Sequence, residues 1–242
     1  MEIVQRSGGS LIKEPKSFAD KPGLWAALER HINLKFYKKD DVLMHHGSEA
    51  SQLWLVLSGW IKLTRQTPDG KETIVGLCHE GDFFGEAALF VNANYPCNAD
   101  VISDKAELAT ISAAVMRDLI KQNPALSSTV MEMFGERASQ AQLKLEHMST
   151  MSTAQRLGCF LLRICGYRSS NEATIHIPVE KYLVASFLGM KPETLSRSQA
   201  QLKPIGVEVH GAQVTIRDVE KLRDYVCSSC SESGSCDSED EN

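Results

Sequence analysis

The segment VEKYLVASFLGMKPETLSR, residues Val179–Arg197, decides the fold of the C-terminal part of this sequence. A helical pattern covers residues 179–188, a turn containing Gly189 follows, and a new helix begins at Pro192. Proline is favoured at the first position of a helix, and an acidic residue such as Glu193 is favoured in the first turn. Two short helices joined by a three-residue turn that contains glycine predict a helix-turn-helix.

The sequence on both sides of this segment completes a larger motif. A helix is predicted over 154–165 and an extended stretch over 174–177. Beyond the second helix, the strand patterns Val207–Val209 and Gln213–Ile216 flank His210-Gly211, which predicts a small hairpin. We therefore predict a winged helix-turn-helix domain over residues 150–226.

The first half of the chain has a different pattern. Short apolar runs at 52–57, 59–64, 73–78 and 108–111 are separated by turn residues such as Pro68-Asp69-Gly70. Several short strands at this spacing predict a sandwich or barrel. The predicted fold class is thus α+β, with a polar lead-in over 1–22 and a β-domain over 23–123.

A long helix is predicted between these domains, over residues 124–149. Its apolar positions recur every three or four residues and include Val130, Phe134, Ala141, Leu145 and Met148. One interpretation is a helix packed on its own domain. The other is a homodimer interface formed by these five residues, because this spacing keeps one stripe facing a partner helix.

Charge and composition limit the class of protein. The net charge is −5, but residues 150–226 carry +3 and the last sixteen residues −5, so positive charge suitable for DNA is local. No apolar run is long enough to span a bilayer, and no secretion signal precedes the domains. Seven cysteines without an export signal indicate a reducing cytoplasm. The sequence has no phosphate loop, zinc-protease motif or hydrolase elbow, so we do not expect an enzyme.

Several short motifs together resemble the Crp–Fnr superfamily of bacterial transcription regulators, over about residues 23–226. They are Leu57-Ser58-Gly59, Gly81–Glu86, Ile177-Pro178-Val179, Leu183-Val184-Ala185 and Pro192–Arg197. The subgroup most similar is Fnr/Dnr-like, whose members regulate nitrogen-oxide respiration. The resemblance implies a jelly-roll domain of cyclic-nucleotide-binding type, a dimerisation helix, binding to palindromic double-stranded DNA and contact with RNA polymerase.

The resemblance also implies which residues read DNA. In this family a Glu and an Arg four residues apart contact base edges, and they correspond to Glu193 and Arg197. Arg can donate two hydrogen bonds to guanine while Glu accepts one from the paired cytosine. The alternative for such a pair is an ion pair within a solvated helix face. Thr194 and Ser196 lie between them, and Ser196 could add a small contact.

Two departures from the family pattern carry expectations. Pro192 stands where the cyclic-AMP-dependent relatives have a guanine-reading Arg, so the expected half-site is TTGAT with its inverted complement ATCAA, in preference to TGTGA. Cys97-Asn98 stands where those relatives hold the cyclic phosphate with Arg-Ser. A phosphate needs a cation or converging donors, so we do not expect cyclic AMP to bind. The alternative is a regulator of the same fold that responds to a cyclic nucleotide or a small metabolite.

The C-terminal tail suggests a redox, oxygen or nitric-oxide-related signal. Its thiols Cys227, Cys230 and Cys236 could hold a four-iron iron–sulfur cluster with a carboxylate or His as fourth ligand. The alternatives are zinc and incidental thiols in a polar tail. Haem is a further alternative from the resemblance, and its candidate ligands are His31, His45, His46, His79 and His147.

Overall fold

The computed structural model describes residues 18, 21–90, 92–165, 171–177 and 179–228. Within these ranges, no helix combines the length and apolar character needed to cross a membrane. The chain divides into two units, of which one ends at Arg137 and the other begins at Ala138. This boundary falls inside the long helix, which therefore contributes residues to both units.

The N-terminal unit is built on two four-stranded antiparallel sheets. Its strands are β1 (Asn33–Lys38), β2 (Val42–Met44), β3 (Gln52–Ser58), β4 (Ile61–Gln66), β5 (Glu72–Cys78), β6 (Phe83–Phe84), β7 (Asn98–Val101) and β8 (Lys105–Ser112). The strand order is β1-β8-β3-β6 in one sheet and β2-β7-β4-β5 in the other. Val56, Ile61 and Leu108 are fully buried in the core. The predicted β-domain is confirmed, and the four predicted runs fall within or largely on β3, β4, β5 and β8.

Two glycines of the family motifs are required by the backbone. Gly59 has φ +95°, and a Cβ there would lie 2.7 Å from the carbonyl oxygen of Lys105. Gly85 has φ +84°, and a Cβ there would lie 2.6 Å from the ring of Trp54. Both positions combine a left-handed conformation with close packing, so a side chain would be strained and would clash.

Three helices accompany the sheets: α1 (Pro22–Glu29), α2 (Ala113–Gln122) and α3 (Pro124–Thr150). The sequence patterns did not predict α1, which begins with proline at its first position. Asn123 separates α2 from α3, and its Oδ1 accepts hydrogen bonds from the backbone N–H groups of Ala125 and Leu126. The predicted long helix over 124–149 corresponds to α3.

The C-terminal unit continues from α3 with α4 (Thr153–Cys165), β9 (Ala173–His176), α5 (Lys181–Phe187), α6 (Pro192–Leu202), β10 (Val207–His210), β11 (Gln213–Ile216) and α7 (Val219–Cys227). The three strands form an antiparallel sheet in the order β10-β11-β9. Helix α4 packs closely on α7, since a Cβ at Gly158 would lie 2.6 Å from a methyl group of Val226. The predicted winged helix-turn-helix is confirmed.

Candidate functional site

The second helix of the helix-turn-helix, α6, has two faces of opposite character. Leu195, Ser198 and Leu202 are buried, and Ser198 Oγ donates a hydrogen bond to Thr153 Oγ1 at 2.9 Å. The turn before α6 is possible because Gly189 adopts φ +65°, which a residue with a side chain adopts only with strain. Packing on α4 and α5 thus fixes one face of α6 and leaves the other in solvent.

The exposed face carries the residues predicted to read DNA. Glu193 and Arg197 are both exposed, and neither makes a hydrogen bond or ion pair with a residue that the structure describes. The alternative of an ion pair within the helix is therefore not formed. Thr194 is half-buried, whereas Ser196 is exposed and its Oγ donates to the carbonyl oxygen of Pro192 at 3.2 Å. The Ser196 hydroxyl thus has its lone pairs, but not its proton, available for another molecule.

Two exposed lysines flank α6, and the sequence patterns did not single them out. Lys191 is the residue before the helix and Lys203 the residue after it. On the neighbouring hairpin, Arg217 binds Glu208 through two hydrogen bonds of 2.8 and 3.1 Å. This bidentate contact lowers the pKa of the Glu208 carboxyl. Arg217 is thus already paired, whereas the side chains of the two lysines make no hydrogen bond or ion pair with a residue that the structure describes.

The first helix of the motif, α5, packs on the end of α3. The ammonium group of Lys144 lies 4.1 Å from the centre of the Phe187 ring, a cation–π contact. Burial, with a smaller contribution from the nearby Arg163, lowers the pKa of Lys144. Phe187 also packs against Phe160 of α4 at 5.8 Å between ring centres. The C-terminal half of α3 and the helix-turn-helix therefore form one packed body.

The residues predicted for a dimer interface separate into two groups on α3. Val130 is buried in the N-terminal unit, and Phe134 is half-buried with its ring 5.6 Å from that of Phe90. Ala141, Leu145 and Met148 are exposed, the last two at 69% and 52% of their surface.

Val130 departs from the predicted interface, because it faces its own β-domain and has little surface left for a partner. The sequence analysis assigned Val130 to the interface only from the spacing of apolar residues. Met131, its neighbour, is 69% exposed and was not predicted as an interface residue. The exposed apolar surface of α3 thus begins at Met131, one residue after the predicted Val130.

Cys97 and Asn98 stand at the position where relatives hold a cyclic phosphate, and neither side chain is a cation. Burial, together with a smaller effect of the Glu86 carboxylate, raises the pKa of the Cys97 thiol to about 11, although the Arg65 guanidinium acts in the opposite direction. Asn98 Oδ1 accepts a hydrogen bond from the backbone N–H of His46 at 2.8 Å. A phosphate at this position would meet a neutral thiol and an amide whose oxygen already accepts a hydrogen bond.

Glu86, the acidic residue of the Gly-Glu motif, is also engaged. It forms an ion pair with Arg137 of α3, and Arg137 donates a second hydrogen bond to the carbonyl oxygen of Phe83. The pair ties the short turn after β6 to the long helix. Glu86 therefore has a structural role within the N-terminal unit.

The tail cysteines are only partly covered by the structure. Cys227 is half-buried at the end of α7, while Cys230 and Cys236 lie outside the described residues. Cys159 of α4 has its Sγ 4.0 Å from Nδ1 of His147. Among the residues that the structure describes, no group of three or more His, Cys, Asp and Glu could hold a metal ion.

Comparison with known proteins identifies the family of this chain. The cyclic nucleotide-binding domain model matches residues 34–123, and the Crp-like helix-turn-helix domain model matches residues 155–225. The cAMP-activated global transcriptional regulator CRP of Pasteurella multocida is 24% identical over 77% of this chain and 90% of its own. The anaerobic regulatory protein of Bacillus subtilis is 27% identical over 76% of this chain and 79% of its own. A crystal structure from Ruegeria pomeroyi, of a protein named for cyclic nucleotide binding, is 32% identical over 85% of this chain and 90% of its own, with a TM-score of 0.69.

The fold and the exposed face of α6 define a DNA-binding transcription regulator with a winged helix-turn-helix and a domain of cyclic-nucleotide-binding type. The chain belongs to the Crp–Fnr superfamily.

Proposed function

We propose that this regulator binds a TTGAT-type inverted repeat as a homodimer, in response to a redox, oxygen or nitric-oxide-related signal, and that it contacts RNA polymerase there. The observation that carries the DNA part of the proposal is the exposed, unpaired state of Glu193 and Arg197 among the described residues. An ion pair between them would first have to be broken before either could bind a base. Here both groups are available without that cost.

Each subunit reads one G·C pair with these two side chains. Arg197 donates two hydrogen bonds to O6 and N7 of guanine, and Glu193 accepts one from the N4 amine of the paired cytosine. Lys191 and Lys203, at the two ends of α6, contact phosphates and position the helix without reading sequence. The Pro192 side chain has no donor, so a second guanine is not required. This supports TTGAT over TGTGA half-sites.

The homodimer forms along the exposed stripe of α3. Its positions alternate in steps of three and four residues, and all except the half-buried Phe134 are exposed: Met131, Phe134, Ala138, Ala141, Leu145 and Met148. This is the spacing of a two-helix coiled coil, in which such residues face the partner. Exposed Met and Leu side chains at these positions favour burial against a second copy. A dimer places two recognition helices on half-sites about one helical turn apart.

The signal is proposed to act through the tail. Three thiolates from Cys227, Cys230 and Cys236 would hold an iron–sulfur cluster, which supplies reactivity toward oxygen and nitric oxide. The fit is supported at one end, since Cys227 is half-buried at the end of α7, which packs on α4. His147, beside Cys159 of α4, is an imidazole in the same unit that could serve as the fourth ligand. The similarity to the anaerobic regulatory protein of Bacillus subtilis supports a signal of this kind.

Two other effectors find less support in the N-terminal unit. Cyclic AMP would lack a cation at Cys97. Haem would need an axial ligand, and His79, one of the candidates, lies 3.7 Å from a carboxylate oxygen of Asp82. A small metabolite remains the second candidate for a signal in the β-domain.

The direct test of the DNA proposal is fluorescence anisotropy at one fixed salt concentration. A duplex with TTGAT and its inverted complement is compared with the same duplex in which both G·C pairs are changed to A·T. We expect binding to the first to be stronger by about 1–3 kcal/mol for each lost pair. Equal binding to both duplexes would contradict the proposed reading.

A further inference from the structure

The C-terminal end of α3 contacts the helix-turn-helix directly, at the last residue of its first helix and in its turn. The ammonium group of Lys144 lies 4.1 Å from the centre of the ring of Phe187, which ends α5. One helical turn further along α3, the terminal methyl carbon of Met148 lies 3.4 Å from the place that a Cβ at Gly189 would take. Residues four apart share one face of a helix. We refer to these two contacts, Lys144–Phe187 and Met148–Gly189, as the α3 clamp.

A second connection between α3 and the helix-turn-helix runs through α4. Only Met151 and Ser152 separate Thr150, the end of α3, from Thr153, the start of α4. Ser152 caps α4, since its Oγ accepts a hydrogen bond from the backbone N–H of Gln155 at 3.2 Å. Hinges in proteins consist of a few residues at the ends of helices or in loops, and this two-residue corner is such a place. The clamp bridges the corner and therefore limits rotation of α5 and α6 about it.

The Lys144–Phe187 contact is stronger than a contact of the same kind in solvent. Burial lowers the pKa of Lys144, which shows that its ammonium group has lost part of its hydration. Cation–π contacts are strongest where the cation is desolvated, because the face of the ring then replaces water. The ring is held in turn by Phe160 of α4. Moving α5 away from α3 would leave a half-buried ammonium group without its ring.

The same helix carries the exposed stripe along which the proposed homodimer forms, and Met148 belongs to both the stripe and the clamp. The position of α6 relative to the partner subunit therefore depends on how firmly α5 and the turn are held to α3. One added base pair moves the second half-site by about 3.4 Å along the DNA and turns it by about 35°. A dimer with firmly held recognition helices cannot follow this change without losing contacts, whereas a dimer with loosely held helices can.

We infer that the α3 clamp determines the spacing at which two half-sites are bound best, and that Lys144 is a positioning residue for α6. This inference rests on the proposed homodimer and inverted repeat. The clamp does not select the bases within a half-site, since that role is assigned to Glu193 and Arg197. Spacing preference and base preference should therefore change independently.

The test measures fluorescence anisotropy with three duplexes that differ only in the number of base pairs between TTGAT and ATCAA. One has the spacing that the wild type binds most tightly, and the others have one base pair fewer and one more. The spacing ratio is the affinity for the first divided by the affinity for each of the others. We expect Lys144→Ala to lower this ratio by roughly three- to tenfold, the range for loss of one partly buried cation–π contact. Lys144→Arg keeps a cation over the ring and should keep the ratio.

Two further variants separate the clamp from other effects. Lys121→Ala, in α2 of the N-terminal unit, removes the same charge far from the clamp in sequence and should leave the spacing ratio unchanged. Phe187→Leu removes the ring from the other side of the contact and should lower the ratio as Lys144→Ala does, with no further loss in the double variant. It also provides the test if Lys144→Ala sediments as a monomer. In all four single variants the preference for G·C should remain that of the wild type.

The inference is overturned if a dimeric Lys144→Ala or Phe187→Leu keeps the wild-type spacing ratio, or if Lys144→Arg or Lys121→Ala lowers it as much as Lys144→Ala. It is also overturned if the preference for G·C falls together with the ratio, because that pattern indicates a general loss of packing around α6. A wild type that binds all three spacings equally overturns the inference and leaves the proposed function intact. A wild type that does not bind the inverted repeat contradicts the proposed function as well.

Discussion

The exposed face of α6 and the residues at the start of β7 both belong to motifs of the same family. The two regions differ in whether their polar side chains are available to another molecule or already engaged within the fold. On α6, the charged side chains of Glu193 and Arg197 are exposed, and neither has a partner among the described residues. At β7, Cys97 is buried with a raised pKa, and nearby Glu86 is paired with Arg137. The charged side chains on α6 are thus available to another molecule, whereas Cys97 is buried and Glu86 is already paired within the fold.

We infer from this contrast that DNA binding and cyclic-nucleotide binding depend on separate sets of residues in this fold. A recognition helix needs a few side chains on one exposed face, and local sequence determines them. A ligand site needs groups from several strands and a helix to converge, so we expect one exchange such as Cys97 to prevent cyclic AMP from binding while the sheets remain.

The largest effect is expected from Leu145→Glu on the exposed stripe of α3. A carboxylate buried without a partner in an apolar interface loses its hydration and gains no compensating interaction. The variant should therefore sediment as a monomer at micromolar concentration. Affinity for the inverted repeat should fall by at least about a hundredfold, because the second half-site no longer adds to the first. The control is Gln140→Glu, which places the same charge on the same helix away from the stripe and should remain dimeric. A wild-type protein that sediments as a monomer would contradict the proposed homodimer interface along α3.

The next effect concerns the base-reading arginine. Arg197→Ala should cost about 1–3 kcal/mol on the TTGAT duplex and remove the preference for G·C at that position. Lys191→Ala is the matched control, since a phosphate contact should weaken binding to all sequences by a similar factor and reduce its salt dependence. Anisotropy titrations at two salt concentrations separate the two patterns. If Arg197→Ala kept the wild-type preference, another residue would read the base.

A smaller effect on DNA binding is expected from the tail. Protein reconstituted with iron and sulfide without oxygen should be brown, and Cys230→Ala should abolish the colour and weaken DNA binding. Ser229→Ala, a neighbouring change that removes no thiol, should keep both. Deletion of residues 227–242 that left colour and DNA affinity unchanged would show that these thiols are incidental.

The smallest effect is expected from cyclic AMP. Calorimetric titration should show no binding at micromolar concentration, because the thiol of Cys97 stays neutral below its pKa of about 11. The same property predicts slow alkylation by iodoacetamide at pH 7.5 in the native protein, since the thiolate is the reactive form, and faster alkylation after denaturation. Micromolar binding of cyclic AMP would mean that other groups replace the missing cation.

The sequence predicted α6, the hairpin β10–β11 and the main strands because local signals determine them: proline at a helix start, glycine in a turn, and apolar alternation. It missed α1, since the Lys21-Pro22 pair resembles a linker and the helix is held by packing of Trp25 and Leu28 on the core. It also assigned Val130, and not Met131, to the exposed apolar face of α3. The periodicity of a single helix gives its apolar faces but not which of them the β-domain covers.

The most direct test of the account is selection of binding sites from random duplexes by the purified wild-type protein. We expect inverted repeats whose half-sites are TTGAT and ATCAA, with one strongly required G·C pair in each. Recovery of TGTGA half-sites, or of sequences without a palindrome, would contradict the roles assigned to Pro192, Glu193 and Arg197.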